Sequence, residues 1–221
     1  MAETMVASEE LVDDNGVRII CPTLNHIGSQ TPRQKEMLDW YRNVLGQQAT
    51  LVPSEDSTMP FPAVWTSNDY MHHRMGFFQI PGLTEDKVSS TSPRVQHVAW
   101  EYGSLDDLLE TWERLQKLGI KPEFCVDHGI TFAFYYFDPD GTMVELLTDA
   151  YGDHEKSMDF QLNSKALRKN PPGTPVDPAK LIEARNDGMS LEELHERAYA
   201  GEFRPEDPAE ALNMPTDEQY Q

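Results

Sequence analysis

Three side chains far apart in the chain offer the most definite chemistry: His26, His97 and Glu145. His26 stands in Leu24-Asn-His-Ile-Gly28 and His97 in Val95-Gln-His-Val-Ala99, each just ahead of a β-branched residue in a strand-like run. Glu145 lies in Met143-Val-Glu-Leu-Leu147. A carboxylate among such neighbours is costly to bury unless it is paired, hydrogen-bonded or bound to a cation. Two imidazoles and one carboxylate are the facial ligand set of non-haem Fe(II), which leaves positions open for substrate and O2. Taken singly, each histidine reads more readily as a structural residue whose hydrogen bonds are satisfied. The matched placement of two of them, beside an isolated glutamate, points to a metal.

Those positions must be held by strands, and the patterning supplies them twice. After the run Arg18–Gly28, Thr31 and Gln34 form a capping box with Pro32 between them, and Met37, Trp40, Tyr41, Val44 and Leu45 share one helix face that Gly46 ends. Short strands are expected near 49–53, 63–67 and 72–80, before a polar linker from Gly82 to Pro93. The order then repeats. A strand over 94–102 leads to a helix capped by Ser104 with Asp107, its apolar face Leu105, Leu108, Leu109, Trp112, Leu115 and Leu118, closed by Gly119. Strands near 123–126, 130–137 and 143–147 follow, the last two joined by the turn Asp138-Pro-Asp-Gly141.

Two such strand–helix–strand–strand–strand units predict an α+β fold: two βαβββ modules, residues 17–82 and 93–150, forming one cup-shaped mixed sheet. Residues 1–16 are expected to be a loose arm. Residues 151–221 are a Pro-rich extension with short helices and no core of its own, expected to wrap the sheet or a neighbouring subunit, which suggests a homo-oligomer. The 38 acidic against 18 basic residues give a net charge of −20, which disfavours nucleic acid and anionic membranes as partners. Cys21 and Cys125 are too few for a disulfide framework or a Cys-rich zinc module. No run approaches ~18 apolar residues, and the acidic start does not read as a secretion signal, so a cytoplasmic protein is expected.

Leu-Asn-His26-Ile-Gly, Val-Gln-His97-Val-Ala-Trp and Asp-Pro-Asp-Gly-Thr-Met-Val-Glu145 together resemble the vicinal-oxygen-chelate superfamily over roughly residues 20–150, and within it the short, single-domain type I extradiol catechol dioxygenases. The resemblance implies that His26, His97 and Glu145 bind Fe(2+), with Mn(2+) an alternative, and that a small aromatic diol and O2 are the substrates. It implies that His73, in His72-His-Arg-Met75, is the acid/base. His72, on the opposite face of a regular strand, is read as a rim residue. Tyr135 matches the tyrosine ten residues ahead of the glutamate, although Phe132, Phe134, Tyr136 and Phe137 beside it make a core aromatic equally natural. His128, in Val-Asp-His-Gly129, resembles the histidine that hydrogen-bonds substrate or oxygen; its gap to Glu145, 145 − 128 = 17, is shorter than the family's. Trp100, Phe132 and Phe134 are candidates for an aromatic wall.

Other readings stay open. A glyoxalase-type isomerase or epimerase on this scaffold takes a further protein ligand from the last strand of the first module, where only Gln79 could serve. A metal-free binder of an aromatic compound or antibiotic would have no need of the matched histidines. A zinc hydrolase would lack a His-Glu-x-x-His base pattern.

Overall fold

The computed structural model describes residues 14–18, 20, 22–84 and 95–206. Most of the N-terminal arm, part of the linker, Cys21 and the end of the extension lie outside these residues. The first module runs β1 (Ile27–Gln30), α1 (Gln34–Leu45), β2 (Gln48–Leu51), β3 (Ala63–Ser67) and β4 (Met75–Phe78). The second repeats it as β5 (His97–Glu101), α2 (Leu105–Lys117), β6 (Phe124–Asp127), β7 (Thr131–Phe137) and β8 (Met143–Asp149). The extension adds α3 (His154–Asn163), α4 (Lys165–Lys169), β9 (Thr174–Pro175), α5 (Pro178–Asn186) and α6 (Leu191–Tyr199).

The α+β expectation holds, and the ladders show how it is built. Instead of one continuous sheet, the described strands form two, ordered β1-β4-β3-β2 and β5-β8-β7-β6-β9. Within each, the first strand of the module pairs parallel with the last, β1 with β4 and β5 with β8, while the intervening strands are antiparallel. Each helix supplies the crossover that a parallel pair requires.

Local signals decide most helix ends. Ser104 Oγ accepts the Asp107 amide at 3.1 Å and caps α2; Gly46, at φ 67°, ends α1 in the left-handed conformation that a side chain would resist. The Thr31 box does not form. Thr31 Oγ1 accepts the amide of Arg33, and Gln34 reaches across to the Phe77 carbonyl, so α1 starts at Gln34 without a side-chain cap.

Met37, Tyr41 and Val44 of α1 and Leu105, Leu108 and Leu115 of α2 meet in one core, each large apolar side chain contributing roughly 1.5–3 kcal/mol. The Tyr41 hydroxyl donates to Asp138 at 3.1 Å, tying the first module's helix to the second module's turn. The extension enters the same core through Val176, Leu181, Leu194, Ala198 and Phe203. No helix among the described residues is long and apolar enough to cross a membrane.

Candidate functional site

Alternation along a strand sends successive side chains to opposite faces. On β7 and β8 that rule separates two aromatic sets. Phe132, Phe134, Tyr136, Val144 and Leu146 point into the main core. Phe124, Val126, Ala133, Tyr135 and Met143, with Phe137 and Leu147, form a second apolar cluster on the other face, the one Glu145 shares. The expected wall is thereby corrected: Trp100, Phe132 and Phe134 face the core, and Phe124, Tyr135 and Phe137 line the glutamate's side. The registers set these sides, Phe124 opposite Tyr135 and Tyr135 opposite Glu145.

Glu145 is 5% exposed and fully engaged. Tyr135, its rung partner on β7, donates its hydroxyl to Oε1 at 2.8 Å. His97 Nε2, from the start of β5, lies 3.0 Å from Oε2. His128 Nε2 is 2.9 Å from the Tyr135 hydroxyl, and the Phe124 ring stacks on Tyr135 at 4.3 Å. Burial, then the Glu145 charge and hydrogen bond, push the Tyr135 phenol far above its usual range, so it is a proton donor and not a phenolate. Burial likewise pulls His128 below the ordinary imidazole value, against the opposing pull of Glu145 and of a hydrogen bond to the Pro172 backbone.

His26, His72 and His73 form a separate group. The His26 and His73 rings are 4.3 Å apart, and His72 Nδ1 is 2.6 Å from His73 Nδ1. His72 and His73 precede β4 instead of lying in it, so strand alternation does not send them to opposite faces. Partial burial first, and then the neighbouring His26 and His72, hold His73 below the usual imidazole value.

The two expected histidine ligands share one local device. His26 Nδ1 is 2.9 Å from the Asn25 side-chain oxygen, and His97 Nδ1 bonds the Gln96 side-chain oxygen. An amide oxygen only accepts, so Nδ1 carries the proton and Nε2 presents its lone pair, as a metal ligand must. For His97 that lone pair faces a carboxylate oxygen, an arrangement that requires a proton or a cation between them. His97 and Glu145 therefore fit a cation as a pair. His26 does not join them, and among the described residues no group of three His, Cys, Asp or Glu side chains is placed to hold a metal.

The registers explain why the modules are not interchangeable. Two residues beyond His97, Ala99 pairs with Glu145; two beyond His26, Gly28 pairs with Gly76. The rung that carries the glutamate in the second module carries no side chain in the first. Gln79 lies past the end of β4, its amide turned towards the Pro32 carbonyl at 3.5 Å, and does not replace it.

The sequence profile described as Glyoxalase/Bleomycin resistance protein/Dioxygenase superfamily matches residues 23–146, more than half of the chain. The chain belongs to this superfamily. Two proteins of Rhodococcus globerulus are similar over nearly their whole length. Biphenyl-2,3-diol 1,2-dioxygenase 3 is 33% identical over 181 residues, 82% of this chain and 91% of that one. Biphenyl-2,3-diol 1,2-dioxygenase 2 is 30% identical over 187 residues, 85% and 94%. A solved glyoxylase/bleomycin resistance protein/dioxygenase domain from Frankia sp. EAN1pec shares the fold, with a TM-score of 0.51 at 16% identity over 62% of this chain and 98% of that one. A dioxygenase role is thus supported by superfamily members of similar length.

Proposed function

We propose that this protein is an extradiol ring-cleaving dioxygenase that opens a catechol-type ring with O2. The reading rests on one conjunction: a chain 33% identical to a biphenyl-2,3-diol 1,2-dioxygenase gathers His97, Glu145, Tyr135 and His128 on a single aromatic face. Ferrous iron is the proposed metal, with manganese(II) the alternative, and His97, Glu145 and His26 are its proposed donors. The His26 ring lies 4.3 Å from that of His73.

The chain's own groups suit the substrate. Phe124 and Phe137 give a planar ring a stacking surface beside the buried Glu145 carboxylate. Tyr135 keeps its proton and orients Glu145. His73, held below the usual imidazole value by burial and the neighbouring imidazoles, is neutral near pH 7 and can accept a diol proton, while His128 borders the face as a hydrogen-bonding group. The isomerase reading loses its further ligand at Gly76.

The test is anaerobic loading with Fe(II), then oxygen uptake across a panel of catechols that includes 2,3-dihydroxybiphenyl, with the coloured ring-opened product followed optically. Uptake matched mole for mole by that product is the expected result. Full iron occupancy without uptake on any diol would refute the proposal.

A further inference from the structure

Asp127, His128 and Gly129 form the turn that leaves β6, and the extension grips the backbone on both sides of His128. Asp127 is completely buried; its Oδ2 lies 2.9 Å from Nδ1 of His195, itself 5% exposed on α6, and its Oδ1 accepts the Gly129 amide at 2.7 Å. β9 pairs Thr174 with Asp127 and Pro175 with Val126. Just ahead of it, Gly173 (φ +84°) passes so close that a Cβ there would stand 2.2 Å from the Asp127 carbonyl oxygen and 2.7 Å from the His128 Cα. On the other side Gly129 (φ +81°) leaves room for the rings of Tyr199 and Phe160, which a Cβ would meet at 2.9 and 3.0 Å. The far end of the His128 side chain faces the Tyr135 hydroxyl and, through it, Glu145.

Burying an Asp–His pair strips both groups of their hydration, which leaves it poor value as stability alone. Its placement gives it another use. We propose that His195, acting through Asp127, is a positioning residue: with Gly173 it sets the distance between His128 Nε2 and the Tyr135 hydroxyl, so the extension completes the active-site wall. The proposal rests on the dioxygenase reading, in which His128 borders the substrate. His195 touches no reacting atom. A displacement of His128 of about 1 Å can cost on the order of 10²-fold in rate.

The experiment compares His195→Ala, His195→Asn and Gly173→Ala in the full chain. An asparagine amide nitrogen can occupy the place of the histidine Nδ1 and donate to Asp127. The first readout needs no metal: side-chain 15N shifts of His128 in 15N-histidine-labelled protein, assigned by their loss in His128→Gln. The second is kcat and KM on the iron-loaded enzyme, alongside the melting temperature. His195→Ala and Gly173→Ala should move the His128 resonances and lower kcat by about 10- to 100-fold, with KM and iron content within about twofold, and His195→Asn should restore most of both. If folded His195→Ala or Gly173→Ala keeps the native His128 shifts and kcat and loses only melting temperature, the extension is structural and the proposal fails. If His195→Ala does not fold, an unchanged His128 in Gly173→Ala overturns it equally. Wild-type protein inactive on every diol would sink the dioxygenase reading instead, while the metal-free shifts would still report on His128.

Discussion

The Tyr135 hydroxyl donates to Glu145 Oε1 at 2.8 Å from the rung directly opposite it, and the same oxygen is 2.9 Å from His128 Nε2. With its own proton spent on the carboxylate, the phenol can accept one from His128. Tyr135→Phe removes a neutral link between two functional groups while keeping the ring that stacks on Phe124. The expected cost is about 1–3 kcal/mol of stability, because the buried carboxylate loses a donor, together with a fall in kcat larger than the change in KM. Denaturant unfolding and steady-state kinetics measure the two separately. An unchanged kcat would remove Tyr135 from the reaction.

The proposed donors divide unevenly, and metal binding separates them. His97→Ala and Glu145→Ala each break the pair that meets at 3.0 Å and should abolish stoichiometric iron in protein purified without oxygen. His26→Ala should do the same if His26 swings from His73 to the pair. Iron retained at one per chain by His26→Ala would strike it from the donor set and leave it as a partner of His73.

Much of this arrangement can be read in the chain because it is local. The Ser104–Asp107 cap, the stop at Gly46 and the Asp138-Pro-Asp-Gly141 turn depend on residues within a few positions of one another. The Thr31 box was lost to tertiary partners: the Gln34 side chain finds the Phe77 carbonyl more than forty residues away. The placement of His26 beside His73 had no local signature, since it depends on the parallel pairing of β1 with β4. The clamp on His128 was hidden for a related reason. His195 lies 68 residues from Asp127, in a helix whose other residues read as an ordinary surface helix.

Asp149 makes the attachment of the extension sensitive to acid. Burial raises its carboxyl, but the Ser157 hydroxyl, the amides of Asp153 and Tyr151 and the His154 ring more than offset this and hold it below the ordinary value. A carboxyl lowered on folding contributes stability that is fully present above its unfolded pKa and is lost as pH falls through the folded one. Unfolding free energy should therefore decline from about pH 5 towards about pH 2, and Asp149→Asn should be less stable near neutrality with a shallower decline. Identical pH slopes for wild type and variant would mean that Asp149 has no part in the acid response.

The division of aromatics between two faces makes a paired prediction with opposite readouts. Phe132 is completely buried in the main core, where truncation leaves a cavity, so Phe132→Ala should cost about 3–5 kcal/mol and show itself as a lowered melting temperature. Phe124 belongs to the smaller cluster and stacks on Tyr135 beside Glu145. Phe124→Ala should leave the fold intact, loosen the Tyr135 ring and raise KM for an aromatic diol, because the surface it removes is the one a planar substrate would cover. Calorimetry and steady-state kinetics on both variants decide the matter. If Phe132→Ala were the one to raise KM at unchanged stability, the substrate would have to lie on the core side of the sheet, where Glu145 does not point.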